Sequence, residues 1–214
     1  MGVVTGNLGV FRSGLTVTVE LTAWTFAAST LLGVLLAVCR ISPVPPLRLA
    51  AATYVSVLRS VPLLVLLTVF VFALPDAGLV YPLFWTAVSA MSLYWAAFFA
   101  EAVRSGIRAV PPGQIEAGRA LGLRFGQILR FVLLPQALRT MIQPMATLLI
   151  AVTLNSSLAA AVGVTGELTG QTELLDQQYA QLLASYGAAA ACYVALALGI
   201  GGLAALLDRK VRVA

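Results

Sequence analysis

The chain has 214 residues, of which 60% are hydrophobic and only 10% are charged, with a formal net charge of +5. A soluble domain carries about 25% charged residues, so this composition excludes a protein whose surface lies mostly in water. Histidine is absent, and Cys39 and Cys192 are far apart, which argues against a Cys/His metal site and against an enzyme of the Ser-His or Cys-His kind.

Five apolar segments are each near the ~20 residues that cross a bilayer. They predict an all-α integral membrane protein with a single domain over 1–214. Prolines in SPVPP (42–46) and the Pro, Asp and Gly of LPDAGLVYP (74–82) separate neighbouring segments. No basic region leads into a cleavage site, so the first span is expected to act as its own insertion signal. The predicted spans cover 14–39, 52–74, 81–103, 132–154 and 184–207.

The basic residues are distributed unevenly between the two sides of this five-span arrangement. Every lysine and arginine except Arg12 falls on one side. The positive-inside rule therefore predicts an N-terminus outside and a C-terminus in the cytoplasm. The longest cytoplasmic loop, about 104–131, lies between spans three and four. On the opposite side we expect 163–178 to be an outer loop.

The cytoplasmic loop contains PPGQIEAGRALG (111–122), which predicts a short helix. Two prolines suit its first turn, and Gly122 or Gly126 can end it. A helix this short is marginal in water, so it needs something to pack against. One alternative is the lipid headgroup layer, held by arginines. The other is a second protein, approached by a stripe of Ala117, Ala120 and Leu121 and by a shallow face that Gly118 and Gly122 are expected to share.

The same stretch resembles a known motif. Permease subunits of bacterial ABC importers carry E-A-A-x3-G-x9-I-x-L-P, and this chain keeps every spacing, with two small changes. The matching residues are Glu116, Ala117, Gly118, Gly122, Val132, Leu134 and Pro135. Further stretches, including RSVPLL (59–64), resemble the polar amino-acid branch of that family, and their sequences are most similar to those of actinobacterial glutamate permeases.

This resemblance implies a coupling helix that docks on an ATP-binding subunit. Two such subunits would bind ATP and Mg, since this chain lacks the G-x4-G-K-[ST] phosphate loop. It also implies a second permease chain, identical or homologous, an extracytoplasmic binding protein, the bacterial cytoplasmic membrane, no nucleic acid, and a polar amino acid such as glutamate, glutamine or aspartate as substrate. The coupling candidates are Gly113, Gln114, Glu116, Ala117, Gly118, Arg119, Ala120, Leu121 and Gly122.

Polar residues near the spans are further candidates. Arg59, Ser60 and Pro62 open span two, and Arg59 could either snorkel to the interface or pair with Glu101 in a cytoplasmic gate. Polar groups at the end of span four could line the pathway or only bond a neighbouring helix. Two outer residues could contact the binding protein or only be solvated. The span-four candidates are Asn155, Ser156 and Ser157, and the outer candidates are Glu167 and Gln171.

Two other functions compete with import. A self-sufficient channel or ion-coupled transporter usually shows more spans, inverted repeats or mid-membrane carboxylates, and here the acids lie towards span ends. A membrane assembly protein would explain the loop but not the polar elements near Arg59 and Asn155.

Overall fold

The computed structural model describes residues 2–212, and within that range the chain is helical with no β-strand. After a short turn of helix at Gly2–Gly6, eight helices carry the fold. They are α1 (Leu8–Ile41), α2 (Pro45–Ser60), α3 (Leu63–Thr68), α4 (Leu83–Arg108), α5 (Pro112–Ala120), α6 (Leu134–Asn155), α7 (Leu168–Tyr179) and α8 (Leu182–Arg212).

Shorter helical pieces extend two of these helices. The α3 helix continues through a π-helical turn at Val69–Ala73 into Leu74–Asp76. The α6 helix is preceded by Phe125–Ile128 and a second π-helical turn at Leu129–Leu133, and it ends in a 3₁₀ segment at Ser156–Val162.

Within the described range, four helical stretches are long and apolar enough to cross a membrane. They are Leu8–Ile41, Leu83–Arg108, Gly126–Val162 and Leu182–Lys210. They overlap the predicted first, third, fourth and fifth spans. An all-helical integral membrane protein is therefore the architecture that the sequence predicted.

The predicted second span differs from a single crossing helix. Pro45–Ser60 and Leu63–Asp76 meet at a 102° bend, so the predicted span over 52–74 is a broken pair of helices, which counts as a fifth span only if the pair is taken together. The break lies at Val61 and Pro62, whose ψ angles of 134° and 136° are extended. Proline lacks the amide that a helix needs, and it forces the residue before it out of the helical region.

The central helix of the bundle is α4. In its most apolar window 61% of the residues are buried, against 6% for the last helix. The α1 helix packs closely along it, because Gly33 has no side chain: a Cβ there would lie 2.5 Å from the Cβ of Phe99. The Ser29 hydroxyl also donates to the Ser92 carbonyl at 3.2 Å. Small residues that let helices approach are a common device in membranes.

The outer segment 163–178 was expected to be a loop, and this expectation is wrong. Most of it forms α7, which buries Leu168, Thr172 and Leu175. Two local features start this helix. The Glu167 carboxylate accepts from the Thr169 amide at 2.7 Å, which caps the first turn. Gly170 lets the Thr165 backbone come within 2.7 Å of where a Cβ would stand.

Candidate functional site: a short exposed helix and two polar junctions

The short helix α5 has well-defined ends. It begins after Pro111, with a second proline in its first turn. At its end Gly122 takes a φ of +73°, a conformation that side chains disfavour. The Gly122 amide donates to Arg119 at 2.9 Å, and the Leu123 amide donates to Gly118 at 3.1 Å. These two bonds form a Schellman motif, so the prediction that glycine ends this helix is confirmed at Gly122.

The inner face of α5 rests on the chain itself. Gly118 is buried, and a Cβ on it would lie 3.2 Å from Cγ1 of Ile128. The expectation that Gly118 and Gly122 together form a shallow outward face is therefore wrong for Gly118. Its small size instead lets α5 pack against the start of the following helical segment. From sequence, both sides of this helix carry small residues, which is why the inward side was ambiguous.

The outer face of α5 is open. Ala117, Ala120 and Leu121 are all exposed, and the Leu121 side chain is 80% exposed. Glu116 and Arg119 are exposed beside them. An apolar stripe flanked by two charges of opposite sign is therefore available to a partner. The other coupling candidates, Gly113 and Gln114, are exposed in the first turn.

The α5 helix is tied to two membrane helices. It follows α4 after only three residues, and the Gln114 and Gln136 side chains meet at 3.4 Å. Just inside the membrane end, the Thr140 hydroxyl donates to the Gly106 carbonyl at 3.2 Å. A Cβ on Gly106 would lie 2.5 Å from Met141, so α4 and α6 are in close contact there. The α5 helix is thus connected to α4 by a short link and to α6 by the Gln114–Gln136 contact.

A charged junction lies at the same end of the bundle. Glu101 on α4 pairs with Arg40 of α1, and with Arg104, whose Nη2 lies 2.6 Å from Oε2. Arg59 of α2 is more distant, at 3.9 Å from Oε1, and its guanidinium stacks 5.4 Å over the Phe98 ring. One carboxylate thus joins three helices through three arginines.

The predicted partner of Glu101 was Arg59 alone. The structure places the two within ion-pair distance, but Arg40 and Arg104 make the closer contacts. Arg104 could have been found from its i+3 spacing on the same helix. Arg40 lies 61 residues away, and only its position at the end of a span pointed to it. Ser60 donates to Ser56 in its own helix at 2.9 Å, next to the break at Pro62.

A second polar junction surrounds Glu167. This residue is completely buried, which corrects the expectation that it offers its carboxylate to a binding protein from an outer loop. Thr18 of α1 donates to its Oε1 at 2.9 Å, and the Tyr193 hydroxyl of α8 donates to the same oxygen. Buried carboxylates are costly unless hydrogen-bonded, and here the surrounding donors meet that need.

The remaining polar candidates bond mainly to their own helices. Asn155 donates to the Ala151 carbonyl at 2.8 Å, and Ser157 donates to Leu154 at 2.7 Å. Ser156 is buried, and it reaches both the Thr153 carbonyl and, at 3.4 Å, Glu167. Gln171 is partly exposed and donates to the Thr165 carbonyl at 2.9 Å.

A helical membrane bundle that presents one short helix beyond its arginine-rich end has the architecture of a transporter permease. The family described as binding-protein-dependent transport system inner membrane component matches residues 29–213. The chain belongs to this family. Its members are transport subunits that act with a substrate-binding protein and an ATPase.

Two relatives and two solved structures illustrate the match. The probable glutamine ABC transporter permease protein GlnM of Bacillus subtilis is 36% identical over 156 residues, covering 73% of this chain and 72% of its own. The glutamate transport system permease protein GluC of Corynebacterium glutamicum is 35% identical over 207 residues, covering 90% of each.

Among solved structures, a crystal structure of an amino acid ABC transporter with histidines superposes with a TM-score of 0.91, at 31% identity and 96% coverage of both chains. An inward-facing MetNI methionine ABC transporter gives a TM-score of 0.72, at 27% identity, covering 94% of this chain and 93% of the other. The resemblance inferred from the motif is therefore confirmed at the level of amino-acid ABC permeases.

Proposed function

We propose that this chain is the permease subunit of an ATP-driven importer that moves a polar amino acid into the cytoplasm, and that α5 is its coupling helix. The observation that carries the proposal is the open face of α5. Its Leu121 side chain is 80% exposed at the arginine-rich end of the bundle. A large apolar side chain in water, on a helix too short to be stable alone, favours a protein partner.

The proposed orientation places this face in the cytoplasm. Every basic residue except Arg12 lies on the α5 side of the five-span arrangement. The ATPase would then meet α5 from the cytoplasm and hold ATP and Mg itself. Its movement on closing would reach the membrane through α4 and α6.

A second permease chain is part of the same proposal. Residues 2–212 contain at most five candidate spans, which are few to enclose a polar path. An identical or homologous partner would complete the path and, by two-fold symmetry, set two coupling helices over two ATPases. We further propose that the Glu101 junction is the cytoplasmic gate, because Arg59 makes its loosest contact, at 3.9 Å, and can leave first.

The outer side is proposed to meet a binding protein. Gln171 stays a candidate contact, since its side chain is partly exposed on α7. Asn155 and Ser157 stay candidates for the outer part of the pathway. The named substrates of the relatives, glutamine for GlnM and glutamate for GluC, suggest a substrate of that class.

Co-purification with the ATPase tests the coupling claim. Leu121→Gln keeps the length of the side chain but makes it polar, whereas Leu121→Met keeps it apolar. We expect the ATPase to co-purify with the wild type and with Leu121→Met. With Leu121→Gln the amount of co-purified ATPase should fall at least about tenfold, because the loss of an apolar contact worth about 1.4 kcal/mol weakens binding tenfold. Equal recovery with both variants would show that this face is not the docking surface.

The substrate proposal is tested separately with the reconstituted importer. Uptake of labelled glutamate should require ATP on the side of the vesicle membrane that α5 faces. Unlabelled glutamine or aspartate should compete with the labelled glutamate more strongly than arginine does. Uptake without ATP would instead support a channel or ion-coupled transporter.

A further inference from the structure

An apolar cleft of about 720 Å³ opens on the side of the bundle, between α1, α4, α6 and α8. Its lining is apolar apart from Thr30, whose hydroxyl is already bonded to the Phe26 carbonyl at 2.7 Å. A polar amino acid would find no partner on these walls, so the cleft is unsuited to be the transport path. Its walls suit a hydrocarbon chain.

The cleft is long enough to hold an acyl chain of one membrane leaflet. On α6 the lining runs from Leu134 to Leu149, about 22 Å at 1.5 Å per residue. On α1 it runs from Phe26 to Val38, about 18 Å. A single leaflet contributes roughly half of the ~30 Å hydrocarbon core, so either wall is long enough to receive an acyl chain.

Three arginines that are adjacent in sequence to lining residues are here called the basic rim of the cleft. Exposed basic residues are adjacent in sequence to lining residues on three of the four helices: Arg108 comes directly after Ile107, Arg139 lies between the lining residues Leu138 and Met141, and Arg209 comes two residues after Leu207. The first of these belongs to α4, the second to α6 and the third to α8. An anionic phosphate at this rim would be complementary in charge.

We propose that the cleft is a binding site for an anionic phospholipid of the arginine-side leaflet, with an acyl chain between α1 and α6 and the phosphate at the rim. The observations that carry it are the apolar lining, a length sufficient for an acyl chain and the basic rim. Bound lipid would fill the space between α1 and α6. The rival occupant is a second permease chain packed into the same cleft.

The test is native mass spectrometry of the assembled transporter, including its second permease chain, taken from nanodiscs of equal phosphatidylglycerol and phosphatidylcholine. Ala146 lines the cleft, so Ala146→Trp or the smaller Ala146→Leu should displace the lipid. Ala205 is an exposed alanine on α8 outside the cleft, and Ala205→Trp is the matched control. We expect retained phosphatidylglycerol in the wild type and control, and its loss in both Ala146 variants.

The rim is tested through the choice between the two lipids. Arg139→Gln and Arg209→Gln should each lower the bound ratio of phosphatidylglycerol to phosphatidylcholine by about fivefold. Arg12→Gln, which removes an exposed arginine from the other end of α1, should leave the ratio unchanged. Equal retention in Ala146→Leu and Ala205→Trp would overturn the proposal. So would an Ala146 variant that keeps its lipid but loses the second permease chain from the complex.

Discussion

The buried carboxylate of Glu167 offers a quantitative test of the second polar junction. Replacing it with alanine removes the acceptor for Thr18, for Tyr193 and for the Thr169 amide. The two hydroxyls keep other partners: Thr18 can bond the Gly14 carbonyl at 3.0 Å, and Tyr193 can bond the Thr169 hydroxyl at 3.0 Å. The amide of Thr169 is left without its cap.

An orphaned donor costs about 1–3 kcal/mol, and each lost net hydrogen bond about 0.5–1.5 kcal/mol. We therefore expect Glu167→Ala to lower the free energy of unfolding by about 3 kcal/mol. For a chain of this size that lowers the melting temperature by about 6–12 °C. Glu167→Gln keeps one acceptor oxygen, so its melting temperature should lie between those of the wild type and Glu167→Ala.

Thermal unfolding of the purified protein in detergent, followed by tryptophan fluorescence, measures the effect. Glu173→Ala is the matched control, because it removes an exposed carboxylate from the same helix and should change stability by less than about 0.5 kcal/mol. If Glu167→Ala melts within two or so degrees of Glu173→Ala, the carboxylate is not held in a packed junction and the reasoning fails.

Two further predictions concern the arginine-rich end and the centre of the bundle. Glu101→Gln should uncouple ATP hydrolysis from substrate uptake and lower stability more than Arg59→Gln does, because Arg59 is the most distant of the three arginines, at 3.9 Å from the carboxylate, and its side chain is 47% exposed. Uptake and ATPase rates in proteoliposomes, together with melting temperatures, check this prediction. A larger loss of stability for Arg59→Gln than for Glu101→Gln would contradict it. Gly33→Leu should prevent folding, because a Cβ there would lie 2.5 Å from a neighbouring side chain. Gly9→Leu should be tolerated, because a Cβ at Gly9 would have nothing within 4 Å. The yield of monodisperse protein compares the two variants, and equal yields would show that α1 and α4 are not in close contact.

Hydrophobic length and proline placement predicted most of the fold. The spans starting near Leu15, Tyr81, Val132 and Ala184 followed from apolar runs alone, because the bilayer fixes their length. The stop at Gly122 followed from glycine's tolerance of positive φ. Proline at 62 disfavours a regular helix, but the 102° bend depends on packing, which a local pattern does not contain.

The two polar junctions were only partly predictable, because their partners are distant in sequence. Thr18 lies 149 residues before Glu167, so no spacing rule connects them. An acid among glycines and threonines resembles a solvated loop in any local window. The inward turn of Gly118 was equally hidden, since its contact is the side chain of Ile128 in the next helical segment.

Cross-linking at α5 tests the coupling claim most directly. In a background without Cys39 and Cys192, Leu121→Cys places a thiol on the open face of α5, and Leu79→Cys places one in the loop at the opposite end of the bundle, where the native side chain is 48% exposed. We predict that Leu121→Cys, in the complete transporter, cross-links to the ATPase subunit with a short thiol-to-amine reagent and that Leu79→Cys does not. An ATPase that co-assembles yet never cross-links to Leu121→Cys, or that cross-links equally to Leu79→Cys, would contradict the assignment of α5 as the coupling helix.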